Sequence, residues 1–205
     1  MNLHEHQAKE LLQRYGVPLA KGVTVYKYGD VDAALAKLPG PVWVVKSQIH
    51  AGGRGQGYFS GQKPGSSGGI RLSFSTDDVK AYVREMLGAT LITKQTGPAG
   101  QKVNRIYIEN GADIDTEFYV SILVNREKGK RAFVLSTAGG MDIEAVAQQS
   151  PERIHTIEIP GRSLDQPTMA RLLAALCLTG DTAEQAAAVF KGMYCAFIEN
   201  DLSLR

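Results

Sequence analysis

The chain has 205 residues with a formal net charge of +2, and 43% of its residues are hydrophobic. This length suits one large domain or two small lobes, and so small a net charge indicates neither a nucleic-acid partner nor an acidic one. No run approaches the roughly 18 apolar residues of a membrane span. Met1–Glu5 lacks the regions of a secretory signal, which predicts a cytoplasmic protein or a matured organellar one. Cys177 and Cys195 lie in helix-like segments and are predicted to be buried, reduced thiols.

The first half of the chain alternates helical and strand-like patterns. Apolar spacing predicts helices over residues 5–15 and 30–38 and a third helix after Ser75, with Asp30 and Ser75 as N-caps. A glycine-rich loop is predicted at residues 51–69, where Gly, Ser and Pro disfavour a helix. The predicted strands of this half lie at 23–26, 43–47, 70–74, 91–93 and 103–109.

The pattern changes after residues 110–113. The second half is predicted to contain strands at 117–125, 132–136 and 153–159, and helices at 141–146, 168–178 and 182–199. A charged hairpin turn at 126–130 joins the first two of these strands. We therefore predict a two-lobed α+β protein with a first lobe over residues 16–109 and a second over 110–205. The N-terminal helix, residues 1–15, is predicted to pack on the second lobe, and a ligand is expected in the cleft between lobes.

The strand at 43–47 delivers Lys46 to the start of the glycine-rich loop. Gly53 and Gly55 leave backbone N–H groups free to approach a ligand closely, and Arg54 adds a second cation. Backbone amides and cations at close quarters are what a polyphosphate needs, so we predict a nucleoside triphosphate site under a flexible lid. A flexible surface loop after an edge strand is the alternative that spacing alone leaves open.

Two commoner phosphate-binding motifs are excluded by the order of the residues. A P-loop needs G-x-x-x-x-G-K-[ST], whereas Lys46 precedes the glycines of this chain. A Rossmann fingerprint needs glycines that open a helix, whereas these glycines run into residues 57–69, which are too rich in Gly, Ser and Pro to be helical.

Several segments resemble the β subunits of succinyl-CoA synthetase, and the resemblance covers the whole chain. The segment Trp43–Gly55 is similar almost residue for residue to that family's nucleotide loop, although His6 replaces a tyrosine that is usual near the N-terminus. The resemblance implies an ATP-grasp fold, in which two α+β lobes clamp a nucleotide, here truncated before its final strands. The similar segments are Asn2–Lys9, Tyr15–Pro18, Trp43–Gly55, Val103–Glu109 and Ser136–Glu144.

The resemblance also implies roles for individual residues. Lys46 would contact the ATP phosphates, residues 53–55 would form part of the lid, and Glu109 with the backbone near Ala112 would hold the base at the hinge. Glu117 would accept hydrogen bonds from the ribose hydroxyls, for which a carboxylate is a good double acceptor. Solvated surface positions are the alternative for both glutamates and for the loop arginine. The implied ATP-binding residues are Lys46, Gly53, Arg54, Gly55, Glu109, Ala112 and Glu117.

The function implied by the resemblance is that of the nucleotide-binding part of succinate–CoA ligase (ADP-forming), which makes succinyl-CoA from succinate, CoA and ATP. The phosphoryl group would pass through a histidine of a partner α subunit that also binds CoA. No catalytic residue is therefore expected in this chain, and His4, His6, His50 and His155 are not given that role. The family's Mg²⁺ ligands, an asparagine and an aspartate, and its CoA-ligase domain lie beyond the equivalent of Arg205. The 205-residue chain alone is expected to be inactive and to bind ATP weakly at best.

Some alternatives stay open on the sequence. Malate–CoA ligase has a β subunit that looks much alike, and the residues that choose the acid lie outside this chain. A non-catalytic ATP-grasp-like assembly module is the alternative from another functional class. The choice between ATP and GTP is also open. The long loop between Gly55 and Gly68 is expected to be mobile when empty, and the chain alone is expected to be monomeric or weakly associated.

Overall fold

A computed structural model of the chain describes residues 2–126, 129–140, 143–161 and 163–202. The chain divides into two compact units, one formed by residues 1–10 and 19–113 and the other by residues 11–18 and 114–205. Helix α1 (Glu5–Arg14) contributes its first six residues to the first unit and its last four to the second. The domain bounds drawn from the sequence, which assign this helix to the second lobe, stay a prediction.

The first unit contains two antiparallel sheets and two further α-helices among its described residues. The elements in chain order are β1 (Gly22–Val25), α2 (Val31–Leu35), β2 (Trp43–Ser47), β3 (Tyr58–Phe59), β4 (Ile70–Ser73), α3 (Thr76–Met86), β5 (Thr90–Ile92), β6 (Gln101–Lys102) and β7 (Ile106–Asn110). One sheet has the strand order β1-β7-β2-β4 and the other has the order β3-β5-β6.

The core of the first unit lies between helix α3 and strand β2. Val79, Val83 and Met86 recur at helical spacing and are fully buried, as that spacing requires of the face that packs on the sheet. From the strand, Trp43 and Val45 enter the same core cluster. Because side chains alternate across a strand, the residues between them must lie on the other face of the sheet.

Only one of the two predicted N-cap residues makes a capping hydrogen bond through its side chain. The Ser75 side chain accepts a hydrogen bond from the Asp78 amide at 3.1 Å, so the predicted cap of α3 is confirmed. Asp30 makes no side-chain cap hydrogen bond, and that prediction was wrong. A 3-10 turn at Tyr28–Asp30 runs directly into α2, so Asp30 already has helical backbone angles and lacks the extended geometry of a cap.

The second unit is built on one antiparallel sheet of order β10-β9-β8. Phe190, Tyr194 and Phe197 recur along one face of its longest helix, and the Phe190 ring meets the Phe133 ring edge to face with centroids 5.4 Å apart. The described elements are β8 (Tyr119–Asn125), β9 (Lys130–Ser136), α4 (Ile143–Gln149), β10 (Ile154–Ile159), α5 (Gln166–Ala175) and α6 (Gly180–Glu199). Parts of the predicted 126–130 turn and 141–146 helix fall at residues 127–128 and 141–142, outside the described residues.

Both cysteines differ from their predicted state. Cys177 and Cys195 are free thiols, but each is exposed, so the prediction that they are buried was wrong. Cys177 lies just after the end of α5 and has a positive φ of 55°. Cys195 lies on α6 between the buried Tyr194 and Ala196, and the helical rotation places it outside the buried stripe. None of the described helices is long and apolar enough to cross a membrane.

Candidate functional site

Strand β2 places Lys46 on the face of the sheet that points away from helix α3. The burial of the strand alternates, with Trp43, Val45 and Ser47 buried and Val44 and Lys46 partly buried. A lysine on the core face would leave a charge among apolar side chains, whereas on this face its ammonium group can meet other polar groups. The position of Lys46 at the end of a buried strand is as the sequence predicted.

Strand β7 adds two residues to the same face. Tyr107 lies opposite Lys46 in the antiparallel register, and Glu109 lies opposite Val44. Directly opposed residues share a face of the sheet, so all of these side chains project together. Lys46 Nζ donates to Glu109 Oε1 at 2.9 Å. Glu109 is buried and paired, and the alternative of a solvated strand-end residue is excluded for it.

Helix α1 covers this face with a second carboxylate and a second lysine. Glu5 and Lys9 are four residues apart and therefore lie on one side of the helix, with Lys9 Nζ 3.6 Å from Glu5 Oε1. Lys46 Nζ donates to Glu5 Oε1 at 2.9 Å, and Lys9 Nζ contacts Glu109 Oε2. Lys9 Nζ also lies 5.3 Å from the centroid of the Tyr107 ring. The two carboxylates thus each bind both lysines.

Arg54 reaches the same group of charges from the glycine-rich loop. Its NH2 group donates to Glu5 Oε2 at 2.7 Å, and its NH1 group donates to the Ser47 carbonyl at 2.8 Å. Gly53, with a φ of +71°, precedes a 3-10 turn at Arg54–Gln56. The alternative of a merely solvated loop cation is therefore excluded for Arg54.

The loop that carries Arg54 closes on itself at its base. A Cβ atom at Gly68 would lie 2.1 Å from the Gly55 carbonyl oxygen, so only glycine at position 68 permits the two ends of the loop to approach this closely. The Gly69 amide donates to the Arg54 carbonyl at 2.8 Å. Inside the loop, Phe59 is buried and strand β3 pairs with β5. Residues 57–69 contain no α-helix, as predicted, and the expected mobility of the loop stays a prediction.

The ionisation of the charge cluster follows from its packing. We use "charge cluster" for Glu5, Lys9, Lys46, Arg54 and Glu109, whose side chains are between 9% and 22% exposed. Burial alone would raise the pKa of Glu5, but the charges of Lys46 and Arg54 outweigh it and lower the pKa to about 2. Burial opposes the charge on Lys46, yet the Glu5 carboxylate and the hydrogen bonds to both glutamates raise its pKa. Three cations and two carboxylates leave one positive charge.

Tyr107 is the neutral member of this face. Burial, followed by the nearby carboxylate of Glu109, raises its pKa to about 12, so the hydroxyl keeps its proton at neutral pH. The neutral hydroxyl and ring therefore leave the positive charge of the cluster undiminished. What the arrangement can do chemically is to hold an anion against Lys46 and Arg54, since an ammonium group and a guanidinium group together suit a phosphate.

The pH dependence of stability is a direct consequence of the Glu5 ionisation. The pKa of Glu5 in the folded chain, about 2, lies below its ordinary 4.5. Its contribution to the free energy of unfolding is therefore complete above the ordinary pKa and is lost as the pH falls toward the folded one. We expect Glu5→Gln to be less stable than the unaltered chain at neutral pH, with the difference shrinking as the pH falls from about 5 to about 2. Urea unfolding at several pH values measures this.

The matched control for that measurement is Glu10→Gln. Glu10 is an exposed carboxylate on the same helix. We expect its replacement to change the free energy of unfolding by no more than ~0.5 kcal/mol at any of these pH values. A Glu5→Gln difference that stays constant across the range would contradict the linkage.

Three histidines stack beside the charge cluster. The rings of His4 and His50 lie 3.8 Å apart between centroids, and those of His4 and His6 lie 5.8 Å apart. Burial, with His50 and Arg105 next in effect, lowers the pKa of His4 to about 4, so it is neutral at physiological pH. The His6 amide donates to Gln48 Oε1 at 3.3 Å. His4 and His6 are buried, whereas His50 is exposed and stacks on the ring of His4.

The other two predicted site residues, Ala112 and Glu117, belong to different units. Ala112 is exposed and lies in irregular chain after β7, in the first unit. Glu117 belongs to the second unit, where it is exposed and precedes β8 instead of beginning that strand. Its carbonyl accepts a hydrogen bond from the Gly139 amide at 3.2 Å, and a Cβ at Gly139 would lie 2.3 Å from the Glu117 backbone. The base and ribose roles of Glu109, Ala112 and Glu117 stay predictions.

No metal centre is formed by the described residues. Among them, no group of three or more His, Cys, Asp or Glu side chains is arranged to hold a metal ion. Glu5 and Glu109 are the carboxylates that contact Lys46, and both are bound to lysines. The described residues therefore do not fit the Mg²⁺ that the resemblance implies.

Three members of the site were missed on the sequence. Glu5 and Lys9 were included only in the similar segment Asn2–Lys9, and Tyr107 was included only in the predicted strand at 103–109. Tyr107 could have been identified from the alternation of side chains along β7. Tyr107 and Glu109 alternate with the core residues Ile106 and Ile108, so they must lie together on the opposite face of the sheet. No local pattern shows that Glu5 faces Lys46, since 41 residues separate the two.

The chain is similar in sequence to a known domain family and to curated proteins. The family described as the ATP-grasp domain matches residues 2–205. The succinate–CoA ligase [ADP-forming] subunit beta of Chelativorans sp. (strain BNC1) is 55% identical over 205 residues, which are 100% of this chain and 52% of that protein. The subunit of the same name from Mesorhizobium japonicum is also 55% identical, with the same coverage. The chain thus spans about half the length of these curated relatives.

One solved structure extends the comparison to the fold. It is a dinucleotide-forming acetyl-coenzyme A synthetase 1 from Ca. Korarchaeum cryptofilum, in complex with coenzyme A, Ca-AMPCP and HgCl+. Its TM-score is 0.63 at 16% sequence identity, and the match covers 98% of this chain and 81% of that chain. At this identity the likeness shows the fold alone.

Proposed function

Because this chain belongs to the ATP-grasp domain family, we propose that its charge cluster binds the phosphates of ATP within the β subunit of an ADP-forming succinate–CoA ligase. The observation that carries the proposal is the convergence of Lys46 and Arg54 on one carboxylate, within 2.9 and 2.7 Å. Two cations from different elements held at one place form a site for a polyphosphate. The proposed substrates of the whole protein are succinate, CoA and ATP, as the names and identities of the relatives suggest.

The chemistry proposed for this chain is positioning and charge neutralisation. Phosphoryl transfer depends on holding the reacting groups in line and on stabilising the charge that develops on the phosphate oxygens. Lys46 would meet those oxygens with an ammonium group whose raised pKa keeps it charged. Arg54 would bring further N–H donors from the loop. A catalytic histidine on a partner α subunit, Mg²⁺ entering with the nucleotide, and a cytoplasmic location belong to the same proposal.

The test is a substrate survey of the protein expressed at its full natural length and co-purified with its proposed α subunit. CoA thioester formation is followed with succinate and with malate, each with ATP and with GTP. Turnover with succinate and ATP supports the proposal, and a preference for malate or for GTP would move the enzyme to a sister activity. No turnover with any pair, in a folded complex, would favour the non-catalytic assembly module.

A further inference from the structure

Glu5 joins the two cations that the proposed function places on the phosphates. Its Oε1 accepts from Lys46 Nζ at 2.9 Å, and its Oε2 accepts from Arg54 NH2 at 2.7 Å. One carboxylate therefore connects strand β2 to the glycine-rich loop. The Gln48 side chain adds a third contact, with its Nε2 3.4 Å from Glu5 Oε2.

Glu5 is placed to bind neighbouring cations and is not a solvated surface residue. Its side chain is 19% exposed, and the first turn of α1 holds it over the sheet. Lys46 and Arg54 carry like charges and both contact Glu5, so they would repel each other without an anion between them. Because lysine and arginine side chains lose much rotamer freedom when they are fixed, holding both in advance lowers the cost of binding an anion.

The bound cations keep donors for a ligand. A lysine ammonium has three N–H donors, and Lys46 directs two hydrogen bonds to Glu5 and Glu109. A guanidinium has five donors, and Arg54 directs its hydrogen bonds to Glu5 and to the Ser47 carbonyl. An anion can therefore bind the remaining donors while Glu5 stays in place.

We propose that Glu5 is a positioning residue, which holds Lys46 and Arg54 together in the geometry that receives the nucleotide phosphates. The inference rests on the proposed function, since it presumes that these two cations bind phosphate. It gives the N-terminal helix a part in nucleotide affinity. Glu5 itself contacts the cations and not the ligand.

The experiment measures binding of ATP and of adenosine to the protein at its full natural length by calorimetry in magnesium-containing buffer. In Glu5→Gln, we expect the Kd for ATP to rise about tenfold, because two side chains must then be ordered on binding. The Kd for adenosine should stay within about twofold, since it carries no phosphate. Glu5→Asp keeps the charge but is one methylene shorter and cannot reach both cations, so an intermediate rise of about threefold in the ATP Kd is expected.

Controls separate the failure of this inference from the failure of the proposed function. Glu10→Gln, an exposed carboxylate on the same helix, should bind ATP as the unaltered protein does. If Lys46→Ala weakens ATP binding while Glu5→Gln and Glu5→Asp do not, or bind ATP more tightly, the positioning role is overturned and the phosphate site stands. Equal losses for ATP and adenosine in Glu5→Gln would overturn it as well, because they indicate a general structural defect. If Lys46→Ala leaves ATP binding intact, both proposals fail.

Discussion

Replacing Lys46 with alanine is expected to lower kcat/KM for ATP at least ~100-fold in the thioester assay. The substitution removes the ammonium group that lies 2.9 Å from both Glu5 and Glu109. The phosphate site then loses a cation, and the two carboxylates keep only Lys9 as a common partner and repel an incoming anion. The measurement is the initial rate against ATP concentration, for the protein at its full natural length with its proposed partner subunit.

The control for this prediction is Lys63→Ala. Lys63 is an exposed lysine in the same glycine-rich loop, so its removal changes the net charge of the chain equally. We expect its kcat/KM to stay within about twofold of the unaltered protein, since exposed charges are screened by solvent and salt. If Lys46→Ala were as active as Lys63→Ala, the charge cluster would not be the phosphate site.

Replacing Met86 with alanine is expected to lower the free energy of unfolding of the first unit by about 3 kcal/mol. Met86 is fully buried at the end of α3 and belongs to the same core cluster as Trp43. Removing its side chain costs the transfer free energy of the lost atoms and leaves a cavity that the packed neighbours fill only in part. Trp43 is the only tryptophan of the 205 residues, so its fluorescence in urea reports on this unit.

The matched control is Leu72→Ala on strand β4, which also removes an apolar side chain from the first unit. Leu72 is 51% exposed, and its loss should change the free energy of unfolding by no more than ~0.5 kcal/mol. Equal destabilisation by the two substitutions would mean that α3 does not pack on β2 as described.

Much of the local structure could be predicted because its signals are local. Strand β2 begins and ends at the predicted residues, and the Ser75 cap of α3 was identified from one side chain and the apolar run after it. The shortest strands could not be predicted from their own residues. Strands β3 and β6 have two residues each and exist because they pair with β5, a contact that no pattern within either segment contains. The ATP-grasp fold implied by the resemblance is confirmed by the family match.

The site was predicted in part for the same reason. Lys46 and Arg54 stand within one motif, so their proximity is visible in the sequence. Glu109 reaches Lys46 only because β7 pairs with β2 in a register that places Glu109 opposite Val44, and a shift of one residue would turn it to the core face. Glu5 joins them through the packing of a helix on a sheet, which a helical pattern alone does not specify.

The closure of the glycine-rich loop at Gly55 and Gly68 separates the length of the loop from the geometry at its base. Since the two ends already touch, residues inserted or lost at the exposed tip change only the entropy of closing the loop, by about 0.6 kcal/mol for each doubling of its length. Arg54 is fixed by hydrogen bonds to Glu5 and to the Ser47 carbonyl, both of which lie outside the loop. The length of this loop can therefore change widely among related chains while Lys46 and Arg54 keep the same arrangement.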